Sequence, residues 1–238
     1  TDPDTDYAGS ACCVYAPGIG VDSVSGETVL AWQFLQATNG TAYQTIWPAL
    51  GGITQPPGAN NAGTSTRTAI TGRIGAPGVY IAYLGGTNQF LSVPSVVKVG
   101  SNAVIKFTRD KGAQHIGLAA APDGRLWIFW SRDKMIIAAR SNPAATQFGA
   151  LVKVKPPKGT DVIYNLAGNG SAGALDLVAL FDKSGSLNNW RQRIMPGLTL
   201  AAKSATGKSK FTVTGAGVPD QGAKVTPGGQ SKQTNSAG

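Results

Sequence analysis

The side chains that most often take part in catalysis are scarce in this sequence. Its 238 residues include one histidine, His115, and one glutamate, Glu27. A general base normally needs a second group that orients it or completes the proton transfer, and neither residue has an evident partner. We therefore predict no catalytic, cofactor-binding or metal site, and we expect His115 to be a hydrogen-bonded strand residue.

The two cysteines, Cys12 and Cys13, are adjacent. This spacing differs from the C-x2-C spacing of a metal knuckle, so no zinc site is predicted. A vicinal disulfide, pairing with cysteines outside the chain and two reduced buried thiols all remain open.

A glycine motif of the form G-x-G-x-x-G spans residues 168–173. In a dinucleotide-binding fold this motif opens a helix that follows a strand, and an acidic residue lies about 20 positions further on. Here the next stretch, Ala174 to Phe181, is short and apolar, and no such acidic residue follows. The motif is interpreted as a glycine-rich loop between strands.

Charge is unevenly distributed along the chain. The formal net charge is +9, but residues 1–66 carry five acidic residues and no Lys or Arg, which leaves +14 for residues 67–238. The basic residues are dispersed apart from Lys153, Lys155 and Lys158, so a solvated basic surface is favoured over a specific anion site. The apolar runs are shorter than the roughly 18 residues that a membrane span needs.

The elements that would position any site are indicated by an internal repeat. Four segments each contain an apolar run, a polar turn and a second extended stretch. Their anchors, Trp32, Tyr83, Trp130 and Leu180, are separated by 51, 47 and 50 residues. A period near 50 residues with room for about four short strands is typical of a β-propeller blade.

The turn chemistry within the repeats agrees with antiparallel strands. Asn39-Gly40 and Asp123-Gly124 are pairs that favour the positive φ angles of tight hairpins. Bulky apolar residues alternate on both sides of the stretch from Leu126 to Trp130, as expected of a sheet packed on both faces. We predict an all-β chain with about four blades of a partial β-propeller in residues 1–200; a β-sandwich with accidental spacing is the alternative.

The fourth repeat resembles a known family. The segment FDKSGSLNNW (residues 181–190) is similar to a degenerate Asp-box of sialidase-like (BNR-repeat) propellers, with Asp182, Gly185 and Trp190 in roughly the expected order. Ser131 to Asp133 resembles the same turn without its glycine. In that family the Asp-box is a structural turn on the outer rim, so the resemblance implies a fold and not a reaction.

The same resemblance supplies an enzymatic alternative, sialidase-type glycoside hydrolysis. That reaction uses a Tyr nucleophile activated by Glu, an Asp acid/base and three Arg that hold the sugar carboxylate. Glu27 is the only candidate glutamate, and we expect it to be solvent-exposed at a turn. The candidate arginines are Arg67, Arg73, Arg109, Arg125, Arg132, Arg140, Arg191 and Arg193.

The C-terminal residues depart from the repeat. Residues 201–210 are small and polar and are interpreted as a linker. Residues 211–238 resemble the start of a transthyretin-like or bacterial Ig-like (carboxypeptidase regulatory-like) module, which implies a truncated β-sandwich segment and a fragment of a longer multidomain protein. The matched positions are Val213, Gly217, Pro219, Gly222, Ala223, Val225, Gly228, Gly229, Thr234 and Gly238.

From these features we predict a non-enzymatic propeller module that binds carbohydrate, protein or cell-wall polymer. The combined resemblances imply a secreted or cell-surface bacterial protein, and residues 1–7 lack an apolar segment, so we expect a signal peptide to have been removed by processing or truncation. Nucleic-acid binding is disfavoured because basic and aromatic residues do not interleave on one strand. No residue is assigned to ligand binding, and the propeller ends are expected to carry Gly-, Asn- and Ser-rich loops without a charge cluster.

Overall fold

A computed structural model describes most of the chain. The described residues are 15–33, 40–59, 68–86, 91–205, 208–221 and 223–238. Cys12, Cys13, Asn39 and Arg67 lie outside these ranges, so the expectations placed on them remain predictions. In the described part, the regular elements are β-strands apart from 3-10 turns such as Pro227–Gly229. The all-β prediction is therefore confirmed.

Four antiparallel sheets follow one another along the chain. Sheet I contains β1 (Tyr15–Val21), β2 (Thr28–Gln33) and β3 (Thr41–Trp47). Sheet II contains β4 (Ala69–Gly72), β5 (Val79–Gly85), β6 (Val93–Lys98) and β7 (Val104–Lys106). Sheet III contains β8 (Gln114–Ala120), β9 (Leu126–Arg132), β10 (Met135–Arg140) and β11 (Val152–Val154). Sheet IV contains β12 (Val162–Asn169), β13 (Leu175–Lys183) and β14 (Ser186–Ile194).

The C-terminal segment, residues 199–238, forms two further small sheets. The first contains β15 (Thr199–Ala205), β16 (Lys208–Gly215) and β17 (Val218–Pro219). The second contains β18 (Lys224–Val225) and β19 (Lys232–Gln233), with the 3-10 turn Pro227–Gly229 between them. Of the residues interpreted as a linker, 201–205 and 208–210 thus lie in two paired strands. Residues 201–204 and 208–210 are exposed, which explains why their side chains are small or polar. The domain boundaries remain a prediction.

Within each of sheets I to IV the strands pair in chain order, so each sheet is a meander. Their first strands, β1, β4, β8 and β12, contact one another in succession. All four also line one pocket of about 200 Å³. The sheets therefore converge with their first strands innermost.

The apolar core lies between successive sheets because the central strands are apolar on both faces. On β9, Trp127 and Phe129 belong to the cluster shared with sheet IV, whereas Ile128 and Trp130 belong to the cluster shared with sheet II. Residues of β5 divide in the same way between sheets I and III. Alternating side chains on one strand thus join three sheets.

The four sequence anchors lie on the second strand of successive sheets, as the repeat predicts. Trp32, Tyr83 and Trp130 are buried, but Leu180 is only half-buried. Leu175, Leu177 and Ala179 pack against sheet III, and the two-residue strand period places Leu180 on the opposite face. Leu180 is therefore not equivalent to the other three anchors, and Phe181, one residue further on, lies on the equivalent face.

Strand number differs slightly from the prediction. Sheets II and III have four strands, while sheets I and IV have three among the residues the structure describes. A bridge between Tyr43 and Thr54 extends the edge of sheet I. The glycine motif at 168–173 spans the end of β12 and the loop before β13, as interpreted from the sequence.

Polar bonds join the first hairpins of sheets I, II and III to the next sheet. Asp22 lies before the first turn of sheet I and accepts a hydrogen bond from the backbone of Gly78 in sheet II. Burial raises the Asp22 pKa, but backbone N–H groups of Val24, Gly78 and Ser25 outweigh it and hold the pKa below its ordinary value. The carboxylate form is therefore the one that joins sheets I and II.

Arg73 makes the corresponding link from sheet II to sheet III. Its buried guanidinium donates to the carbonyl oxygens of Gly124 (2.7 Å), Pro77 (3.0 Å) and Pro143. From sheet III, the Trp127 indole N–H donates to Gly173 in sheet IV at 3.0 Å. These bonds fix the order and spacing of the sheets at one end.

The innermost strands approach so closely that a side chain is excluded at some positions. A Cβ at Gly117 on β8 would overlap the ring of Phe129. We expect Gly117→Ala to lower the free energy of unfolding by about 1–3 kcal/mol because the ring must leave its packed position. Urea unfolding measures this free energy. Gly52→Ala is the control and should change stability much less, because its Cβ would meet nothing within 4 Å. An equal loss of stability in both variants would show that the overlap with Phe129 is not the cause.

Replacing Arg73 tests the polar link between sheets II and III. Arg73→Met keeps the apolar bulk and leaves the carbonyl oxygens of Gly124 and Pro143 without their donor. We expect a loss of about 2 kcal/mol or more, since hydrogen bonds from charged groups contribute about 1.5–3 kcal/mol each. Arg191→Met on the exposed face of β14 is the matched control and should be close to neutral in the same unfolding experiment.

Candidate functional site

A charged hairpin lies at the end of sheet III opposite the hairpins that carry Asp22 and Arg73. Strands β9 and β10 are joined by the two-residue turn Asp133-Lys134, in which both residues have positive φ angles, 49° and 59°. Paired positive φ angles are the geometry of a type I′ turn. The turn sets Arg132, Asp133 and Lys134 at the rim of the sheet.

Arg132 is held in place by acidic and backbone acceptors. Its guanidinium donates to Asp110 at 2.9 Å and to the carbonyl oxygen of Arg109 at 3.2 Å, and it lies 3.3 Å from the carboxylate of Asp133. The Asp110 side chain is 5% exposed whereas that of Asp133 is 83% exposed. Asp110 therefore anchors the guanidinium from within, while Asp133 keeps acceptor capacity toward solvent.

The opposite wall comes from the start of sheet IV. Asp161 accepts a hydrogen bond from the Ser184 backbone at 2.9 Å, and its other oxygen lies 4.0 Å from the Lys134 ammonium group. Val162 and Ile163 follow and supply an apolar surface. Together with the hairpin, these residues enclose a cleft of about 360 Å³ between sheets III and IV.

The remaining lining comes from the connection into β8. The Ser131 hydroxyl donates to the carbonyl oxygen of Gln114 at 3.1 Å, which fixes that wall to β9. The next residue, His115, has a φ of 49° and lies in a register shift between Gln114 and Gly117. Because the strand has a bulge here, the Gln114 side chain is exposed at the cleft, whereas the His115 imidazole is half-buried.

The His115 imidazole is half-buried beside sheet IV. Burial lowers its pKa below the ordinary value, while a hydrogen bond with the backbone of Ile163 acts in the opposite direction with smaller effect. Its Nδ1 atom has no hydrogen-bond partner in the described structure. The neutral imidazole is therefore the favoured form at neutral pH, and His115 is a strand residue, as expected.

The cleft is equipped for hydrogen bonding to a polar ligand. Arg132 and Lys134 supply donors, Asp133 and Asp161 supply acceptors, and Val162 supplies an apolar contact. A volume near 360 Å³ is within the range of small-ligand sites. In the described part of the chain, no three His, Cys, Asp or Glu side chains are grouped as metal ligands would be.

The cleft corrects one expectation. The propeller ends were expected to lack a charge cluster, yet Asp110, Arg132, Asp133, Lys134 and Asp161 lie together at this end of sheets III and IV. The sequence separates these residues by up to 51 positions, and only the packing of the two sheets brings them together. The sequence signal was present only in Ser131 to Asp133, which was interpreted as a structural turn.

Glu27 also differs from its expected environment. It immediately precedes β2 and is half-buried rather than solvent-exposed. Its carboxylate accepts a hydrogen bond from the Thr45 hydroxyl at 3.2 Å. This contact ties the carboxylate to β3 of the same sheet.

The arginines named with the sialidase-type alternative have separate roles. Arg73 joins sheets II and III, Arg132 lines the cleft, Arg140 lies 3.9 Å from Asp220, and Arg193 pairs with Asp176 at 2.7 Å. Each of these four guanidinium groups is thus engaged at a different location in the described structure.

A second pocket, of about 340 Å³, occupies the corresponding end of sheet II. It is lined by Gly85, Gly86 and Ser95 and by the loop at Pro57 and Gly58, with Lys106 as its charged side chain. Because it has fewer charged groups than the cleft between sheets III and IV, it offers fewer directed hydrogen bonds.

Comparison with solved structures supports the fold. No protein-family model and no curated protein matches the chain. A β-propeller lectin from Aleuria aurantia, solved as a mutant in complex with Fucα1-6GlcNAc, is similar over 86% of this chain with a TM-score of 0.50 and 16% identity. The chain spans 63% of the length of that lectin. The polysaccharide lyase Uly1 gives a TM-score of 0.38 at 8% identity, covering 86% of this chain and 55% of the lyase.

The structure and the likeness to the lectin together define the class of fold. The chain is an all-β protein with a propeller-like arrangement of antiparallel sheets. No helix in the described residues is long and apolar enough to cross a membrane.

The titration of His115 tests the local burial. Because it is the only histidine, its imidazole protons give a single set of NMR signals. We expect its midpoint to lie below the ordinary value of about 6.5 in the folded chain and to return to that value in urea. Since the folded pKa is the lower one, stability should fall as pH drops through about 6.5 toward the folded pKa; a folded midpoint at or above about 6.5 would contradict the buried placement.

Proposed function

We propose that this chain is a carbohydrate-binding module and that the cleft between sheets III and IV receives a neutral sugar. The observation that carries the proposal is the convergence of Arg132, Asp133, Lys134 and Asp161 around one cleft. Sugar hydroxyl groups are both donors and acceptors, so paired cations and carboxylates can bind adjacent hydroxyls in a fixed orientation.

The cleft also provides the features that a sugar ring needs besides hydrogen bonds. Val162 is 45% exposed and offers apolar contact to the C–H face of a ring. Asp110 holds Arg132 in position before any ligand arrives, so little side-chain entropy remains to be lost on binding. Charges of both signs balance across the cleft, which favours a neutral ligand over a strongly charged one.

The likeness to a lectin supports the same class of ligand. That lectin was solved with Fucα1-6GlcNAc, a neutral sugar. The greater length of that lectin fits our proposal that these four sheets are blades of a partial propeller. A secreted or cell-surface location, and the sialidase-like and Ig-like resemblances, remain proposals beside it.

Binding assays on cleft variants test this function. A neutral-glycan array that includes Fucα1-6GlcNAc should identify a bound sugar, and titration calorimetry should give its affinity. We expect Asp133→Asn and Lys134→Gln each to weaken that affinity about tenfold or more, since each removes a charged hydrogen-bonding group. Asn tolerates the positive φ at position 133, so the turn is kept.

The equivalent hairpin of sheet IV provides the matched control. Lys183 adjoins the Ser184-Gly185 turn, is exposed, and lies outside the cleft lining. Lys183→Gln should leave the affinity unchanged. Absence of binding to every neutral glycan, or an equal loss in the control and the cleft variants, would overturn the proposal.

A further inference from the structure

The C-terminal segment concentrates positive charge. Residues 199–238 contain five lysines and one acidic residue, Asp220, which gives a formal charge of +4 in 40 residues. Asp220 lies 3.9 Å from Arg140, outside the segment. None of the five lysines forms an ion pair with any residue that the structure describes.

Three of these lysines share one face of the β15–β16 hairpin. Lys203 lies directly opposite Lys210 in the antiparallel register, and Lys208 is two residues before Lys210 on the same strand. Like charges directly opposite each other destabilise a strand pair. All three side chains are exposed, so this arrangement costs stability that an anion bound between the lysines would restore.

The hairpin borders a cleft of about 410 Å³. Its lining residues include Lys210 on β16 and Lys232 on β19, together with Gln230, Gln233 and Asn235. Lysine ammonium groups provide compact positive charges, while amide groups donate to and accept from neutral hydroxyls. The cleft thus combines sites for anionic groups with sites for hydroxyl groups.

We propose that this cleft binds an acidic polysaccharide, a sugar chain that bears carboxylate or sulfate groups. The presence of both charged and neutral polar groups in one cleft matches a polymer in which acidic groups are separated by hydroxyls. Single-stranded nucleic acid is bound through base stacking on exposed aromatic rings, and Phe211, the only aromatic residue of the segment, is half-buried. This site is separate from the neutral-sugar cleft and does not depend on it.

The test compares polymers and two double variants of equal charge. Binding of the full chain to immobilised dextran sulfate and polygalacturonate is measured beside uncharged dextran and a double-stranded DNA. We expect Lys210→Gln with Lys232→Gln to weaken binding to the preferred acidic polymer about tenfold or more. Lys153→Gln with Lys155→Gln, which removes two exposed lysines near β11, should change it by less than about twofold if position matters more than net charge.

The two acidic polymers separate sulfate from carboxylate recognition, and either preference supports the proposal. Thermal unfolding should show Lys210→Gln to be as stable as the parent or more so, since it relieves the repulsion with Lys203. Failure to bind both polymers, equal losses in the two double variants, or tighter binding to DNA would overturn the inference. Lys134→Gln alters the neutral-sugar cleft and should leave acidic-polymer binding unchanged. This control therefore distinguishes failure of the acidic-polysaccharide site from failure of the neutral-sugar site.

Discussion

The architecture depends on strands that are apolar on both faces and therefore require a sheet on each side. Trp127 and Trp130 are fully buried on opposite faces of β9, one toward sheet IV and the other toward sheet II. Burying a large aromatic side chain contributes about 1.5–3 kcal/mol relative to exposing it, so exposing either face to water would be strongly unfavourable. Successive sheets must stack, and their narrow inner ends then admit only glycine at positions such as Gly117.

Stacking in chain order also explains where chemistry can arise. The first hairpins of sheets I to III are tied to neighbouring sheets by Asp22, Arg73 and Trp127, whose polar groups are thereby engaged in hydrogen bonds between sheets. At the opposite end, the β9–β10 turn and the start of β12 diverge enough to leave a cleft. The charged residues there are carried by turns and loops on a scaffold of packed strands, an arrangement common in binding sites.

The sequence predicted the repeated sheets because their determinants are local. Apolar alternation and turn pairs such as Asp123-Gly124, both with positive φ angles, specify each strand and hairpin without knowledge of the rest of the chain. The sequence predicts less well which face of a strand a residue occupies. Leu180 and Phe181 are adjacent and both apolar, and only the packing of β13 against sheet III determines which of them faces that sheet. The cleft could not be predicted, since Lys134 follows a strand of sheet III and Asp161 precedes the first strand of sheet IV, and only stacking of the two sheets brings them together.

An NMR titration of the folded chain with the neutral glycan of highest affinity locates the bound sugar. Binding in the cleft between sheets III and IV predicts that the largest amide shift changes fall on residues 131–134 and 161–163, with small changes at the hairpins that carry Asp22 and Arg73. Shift changes confined to those hairpins or to the C-terminal segment, with the cleft unaffected, would contradict it.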